Sequence, residues 1–165
     1  FKLRTVPSTL PDIVSLAPET PPLRQIEDAR GGGTENVLDR ISLNDMDVEI
    51  AMPIQTLRDL ADQTGLWRDT EPKQARRQLL HMAQICREHY PALRLHLYDG
   101  TKTFSAPFTV FGNQRVALYI GDAYLVVSSP DQVRGFARQF DRLVRRAVVS
   151  SDKIHDTLTA LAKAI

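Results

Sequence analysis

The chain has 165 residues, 42% hydrophobic and 25% charged, with a formal net charge of +1. That length suits one domain with an arm or linker attached, and the near-neutral balance excludes bulk attraction to nucleic acid or acidic lipid. Its apolar runs fall far short of the roughly 18 residues that a membrane span needs, so no membrane partner is expected.

Residues 1–33 hold five of the ten prolines (Pro7, Pro11, Pro18, Pro21, Pro22) and end in Gly31-Gly32-Gly33. With short helical turns at 11–17 and 23–30, this stretch reads as a Pro/Gly-rich arm or interdomain linker. No Gly-Lys-Ser/Thr follows the triplet, so a hinge is expected rather than a phosphate loop. Residues 34–165 read as one α/β domain. Thr34 can cap a helix over 35–43 that buries Val37, Leu38 and Ile41. Asp47–Met52 alternates as a half-buried strand. Pro53 opens a helix to about Thr64, and Gly65 stops it.

The spacing of Ala75, Leu79, Met82, Ala83 and Cys86 predicts a helix over 71–90. Cys86, the only cysteine, falls on its apolar side and reads as a buried structural thiol. A lone thiol makes no intrachain disulfide and no Cys-based zinc site, and it fits a reducing cytoplasm. Leu93, Leu95 and Leu97 alternate with Arg94, His96 and Tyr98 as a strand. Gly112-Asn113 and Gly121-Asp122 are hairpin dipeptides that divide 106–129 into strands near 107–111, 115–120 and 123–128, with Val116, Leu118 and Ile120 on one face. Pro130 starts a helix to about Val148, with Val133, Phe136, Ala137, Phe140, Leu143, Val144 and Ala147 as its buried stripe. A last helix over 151–164, capped by Ser151, buries Ile154, Leu158, Leu161 and Ala162. The expected fold is α/β (α+β): a mixed sheet of about five strands, including a C-terminal β-meander, flanked by amphipathic helices.

Little in this pattern carries bond-making chemistry. His81, His89, His96 and His155 form no His-x-His or His-x-x-x-His pair, so neither a metal nor another cofactor is expected. No Gly-x-Ser-x-Gly elbow occurs, and Ser128-Ser129 before Pro130 read as helix capping. Asp45, Asp47 and Glu49 read as a solvated strand edge rather than an acid–base pair. The His-x-Lys-x-x-x-x-Asp motif of phospholipase D chemistry is absent, because the residues two beyond the histidines are Ala83, Pro91, Tyr98 and Thr157. Arg134, Arg138, Arg142 and Arg145, with Arg146, form a basic stripe opposite the apolar side of their helix. They either contact nucleic acid phosphates or form a solvated outer face. An effector crevice is expected to draw on Trp67, His96, Tyr98, Phe104, Arg115 and Tyr119.

Three stretches, "QARRQLLHMAQICREHYPALRLHLYDG", "APFTVFGNQRVALYIGDAYLVV" and "SPDQVRGFARQFDRLVRRAVVSSDKIHDTLTAL", occur in this order. Together they resemble the C-terminal effector domain of XRE-type (Cro/cI-like) helix-turn-helix bacterial regulators, especially the actinobacterial kind. A similar strand followed by a Phe-x-x-Leu helix occurs in regulator domains built on degenerate phospholipase-D-like folds. The resemblance covers about residues 72–162 and implies a cytoplasmic, non-enzymatic module that senses a small molecule or protein effector. It also implies that DNA is contacted only through a domain upstream of Phe1. Ile154, Leu158 and Leu161 serve either a homodimer seam or intrachain packing. Two alternatives remain: a phosphodiester- or nucleotide-handling enzyme using Asp99, Lys102, Arg115 and Asp122, and a direct nucleic-acid binder using the arginine stripe.

Overall fold

The computed structural model describes residues 1–16 and 34–165. In chain order the elements are β1 (Lys2–Val6), α1 (Thr34–Ser42), β2 (Asp47–Pro53), α2 (Ile54–Asp62), α3 (Pro72–Glu88), β3 (Leu93–Tyr98) and β4 (Phe108–Phe111). They continue with β5 (Arg115–Tyr119), β6 (Tyr124–Val127), α4 (Pro130–Arg145), β7 (Ala147–Val149) and α5 (Ile154–Lys163). The strands form a seven-stranded mixed sheet in the order β6-β5-β4-β1-β2-β3-β7. The β1, β2 and β3 strands run parallel at its centre, and the β4–β6 meander and β7 pair antiparallel at the two sides.

Parallel neighbours need crossovers, and helices supply them. The α1, α2, α3 and α5 helices bury Ile41, Leu57, Leu60, Leu79, Met82 and Leu158 against Val48, Ile50, Met52, Leu95 and Leu97 on one face of the sheet. On the other face α4 sets Val133, Phe140 and Leu143 against Val6, Ala51, Tyr98, Phe108 and Val110. Phe136 meets Phe108 at 5.2 Å between ring centroids. Full burial of each large side chain in that seam stabilises the fold by about 1.5–3 kcal/mol.

Two strands correct the sequence-based outline of five. Lys2–Val6 is not part of an arm. It is the central strand, hydrogen-bonded to β2 on one side and β4 on the other, and without it the sheet would expose two unpaired edges. Its alternation of Lys2, Leu3, Arg4, Thr5 and Val6 is hidden by the prolines that follow. The second addition is β7, which cuts short the helix expected to reach Val148. The helix ends at Arg145, and Ala147–Val149 then pairs with β3. Ala147, Val148 and Val149 suit a strand better than a helix end, because two of the three are β-branched.

Smaller corrections follow the local geometry. Ser129 stands at the N-cap of α4 but makes no side-chain cap hydrogen bond. Ser151 opens a 3-10 turn, and α5 starts only at Ile154. Ile120 lies beyond the end of β5 and is exposed, so it does not share the buried face of Val116. The turn at 23–30, the Gly31–Gly33 hinge and the Thr34 side-chain cap lie outside what is described. Of the first expected helical turn, Asp12–Val14 forms as a 3-10 turn.

Candidate functional site

The six residues expected to line one crevice do not converge. Trp67 ends the Gly65–Trp67 turn and packs against the four-helix face. Tyr98 belongs to the α4 seam, where burial pushes its phenol up. His96 lies one alternation back on the same strand, in a cluster of charged groups. Tyr119 points to the four-helix side, its hydroxyl 2.6 Å from Thr109 Oγ1, which lies 2.8 Å from Thr5 Oγ1. Phe104 is 85% exposed in the β3–β4 loop, and Arg115 is exposed at the start of β5.

The residues of the alternative enzyme site are also dispersed. Arg115 is the first residue of β5 and Asp122 lies beyond its far end, and the strand's four residue steps span about 13 Å. Asp99 is engaged in its own turn: Oδ1 accepts from the Thr101 hydroxyl at 2.6 Å, the Thr101 N–H at 2.9 Å and Gln55 Nε2 at 2.8 Å. Those bonds, Thr101 first, hold its carboxyl below the usual range. Such a carboxylate is a turn anchor rather than a proton shuttle at neutral pH. On α4, Arg134, Arg138, Arg142 and Arg145 are all exposed. Arg134 pairs with Asp131, and Arg142 Nη2 donates to Gln139 Oε1 at 2.8 Å.

Two places do gather chemistry. The first is a cavity of about 640 Å³ between α3, the Gly65–Trp67 turn and the segment after β1. Leu10, Leu16, Leu60, Leu66 and Trp67 form its apolar wall, and Gln74, Arg77 and Gln78 bring polar groups. Gln78 is buried on α3 and clamps the far wall: Nε2 donates to the Val14 carbonyl and Oε1 accepts from the Leu16 N–H, each over 2.8 Å. Arg77 is exposed and makes no ion pair among the described residues. Leu66 is 77% exposed, an apolar side chain held at the rim with nothing covering it among those residues.

The second place is the upstream half of the α4 face. Register sets Arg4, Glu49 and Arg94 side by side on β1, β2 and β3. Glu49 Oε1 meets Lys2 Nζ at 2.6 Å and Arg94 Nη2 at 2.9 Å, and Oε2 meets His96 Nε2 at 3.3 Å. The His96 hydrogen bond, aided by Lys2 and Arg94, outweighs desolvation and brings Glu49 from 4.5 down to about 2. An ionised carboxylate only accepts, so His96 carries its proton on Nε2. The sequence reading of Glu49 as a wet-edge residue is thus corrected: its side chain is 13% exposed. Strict alternation in Lys2-x-Arg4, Asp47-x-Glu49 and Arg94-x-His96 was the available signal, but only the register joins the three.

Among the described residues, no group of three or more His, Cys, Asp or Glu side chains is placed to hold a metal ion. No helix among them is long and apolar enough to cross a membrane. Comparison with protein-family models, curated proteins and solved structures finds no match.

Proposed function

We propose that this chain is the ligand-sensing, non-enzymatic domain of a bacterial transcription regulator, with DNA contacted by a helix-turn-helix unit outside residues 1–165. The observation that carries the reading is the Trp67 cavity, with its apolar wall and the cationic Arg77. A mostly apolar concavity with a few convergent polar groups is the usual form of a small-molecule site. Arg77, the one cation among the described lining residues, selects a small apolar molecule with an acidic end. Among the described residues the wall offers no nucleophile paired with a base, which favours binding over turnover.

The cavity also joins parts that a ligand could couple. One wall is the segment leaving the central strand, and the other is the start of α3, which packs along α5. A ligand that prefers one arrangement of these walls shifts the population toward it, by no more than its difference in affinity.

Thermal denaturation with hexanoate, octanoate and decanoate tests the reading, with octanol as the uncharged control. Stabilisation should rise with chain length, exceed that by octanol and shrink in Arg77→Gln. Equal stabilisation by octanol, or none by any acid, overturns the assigned ligand class.

A further inference from the structure

We propose a second site, for a phosphate-type oxyanion, on the upstream half of the α4 face, built by Arg4, Arg94 and Lys2 around Glu49. It lies on the opposite side of the sheet from the Trp67 cavity and does not depend on that reading.

Charge count is the first argument. Lys2, Arg4 and Arg94 face Glu49, a surplus of two positive charges among these four side chains. Asp47 begins the same strand side and is exposed, and Asp152, whose carboxyl is held by Ser150 Oγ at 2.6 Å, lies within electrostatic reach of His96. Neither forms an ion pair with either arginine among the described residues.

Unmet hydrogen bonding is the second. Arg4 Nε, Arg94 Nε and His96 Nδ1 are all buried without a hydrogen-bond partner among the described residues. His96 itself is 7% exposed. Buried donors are normally satisfied, and two orphaned arginine Nε–H groups within one cluster mark an absent acceptor. A single oxyanion has enough lone pairs to serve both guanidiniums, whose planar forks match its geometry.

Coverage is the third. The α4 helix packs over Val6, Ala51 and Tyr98, downstream of the cluster on the same three strands. Lys2, Arg4, Glu49 and Arg94 are only half-buried, so the cluster is reachable from solvent. Within it, Glu49 acts as a template that aims Lys2 and Arg94 while leaving Arg4 without a carboxylate.

The test uses the whole chain, titrated with inorganic phosphate and with glycerol phosphate at constant ionic strength, followed by amide chemical shifts and calorimetry. Saturable binding is expected, with shifts centred on Arg4, Glu49, Arg94 and His96. Arg4→Gln should weaken it at least tenfold, and Arg138→Gln/Arg142→Gln should leave it intact. Tighter binding of the ester assigns the site to a phosphorylated metabolite, and equal binding assigns it to the free oxyanion. Non-saturable shifts, shifts centred on α4, or full affinity in a folded Arg4→Gln overturn the proposal. If Arg4→Gln does not fold, the wild-type shift map decides.

Discussion

Gln78 holds the Val14 carbonyl at 2.8 Å, and so ties the third helix to the segment that leaves the central strand. The same side chain accepts from Leu16, so one amide satisfies a backbone donor and a backbone acceptor across the cavity. Gln78→Leu keeps much of the bulk and loses both bonds. It should cost about 1–3 kcal/mol, the usual penalty for stranding buried polar groups, read as a lower urea midpoint. Gln78→Glu keeps the acceptor for Leu16 and sets a charged oxygen against the Val14 carbonyl, so it should destabilise too. An unchanged midpoint in both variants would show that the clamp contributes nothing.

Glu49 gives the protein an acid limb with a defined window. Its folded value, about 2, lies below its ordinary 4.5. Its contribution to stability is therefore complete above pH 4.5 and is lost as pH falls from there through about 2. Asp99 and Asp152, also held low by hydrogen bonds, add to the same limb, so the comparison with Glu49→Gln is the readout. The variant should be less stable at neutral pH by about 1–3 kcal/mol, with Lys2 and Arg94 left facing each other. Its melting temperature should fall less steeply than that of the wild type in the acid window. Parallel curves would contradict the role given to Glu49.

Cys86 should be chemically silent in the folded chain. It is buried on α3, and desolvation pushes its thiol up to about 12, so almost no thiolate exists at neutral pH. A disulfide-exchange reagent should label it stoichiometrically in denaturant and only at the rate of unfolding in native buffer. Fast native labelling would place the thiol at the surface.

The sequence displayed most of the helices and the meander because their periods are long and clean. Leu79, Met82 and Cys86 repeat at helical spacing over a 17-residue helix, and Gly112 and Gly121, both at positive φ, mark the two hairpins. The two strands that escaped are short: β7 has three residues, and β1 sits before a proline-rich stretch. Neither run is long enough to outweigh its neighbours. For the last helix the sequence left two readings, a dimer seam or intrachain packing; Ile154, Leu158 and Ala162 pack inside this chain, with Leu161 partly buried beside them.

The sites were legible only in part. Trp67 and His96 were identified as residue types with chemical potential, yet they lie on opposite faces of the sheet. Lys2, Arg4, Glu49 and Arg94 become neighbours through a strand register joining positions 45 and more residues apart. Alternation tells which residues share a face of one strand. It does not tell which strands are adjacent.

The most direct measurement is a titration of the folded chain with decanoate, followed by tryptophan emission. Trp67 is the only tryptophan, so the signal comes from the cavity wall alone. A saturable change in emission is expected, weakening markedly in Arg77→Gln and not reproduced by octanol. Emission that does not respond to any acid of the series, or a response identical in Arg77→Gln, would contradict it.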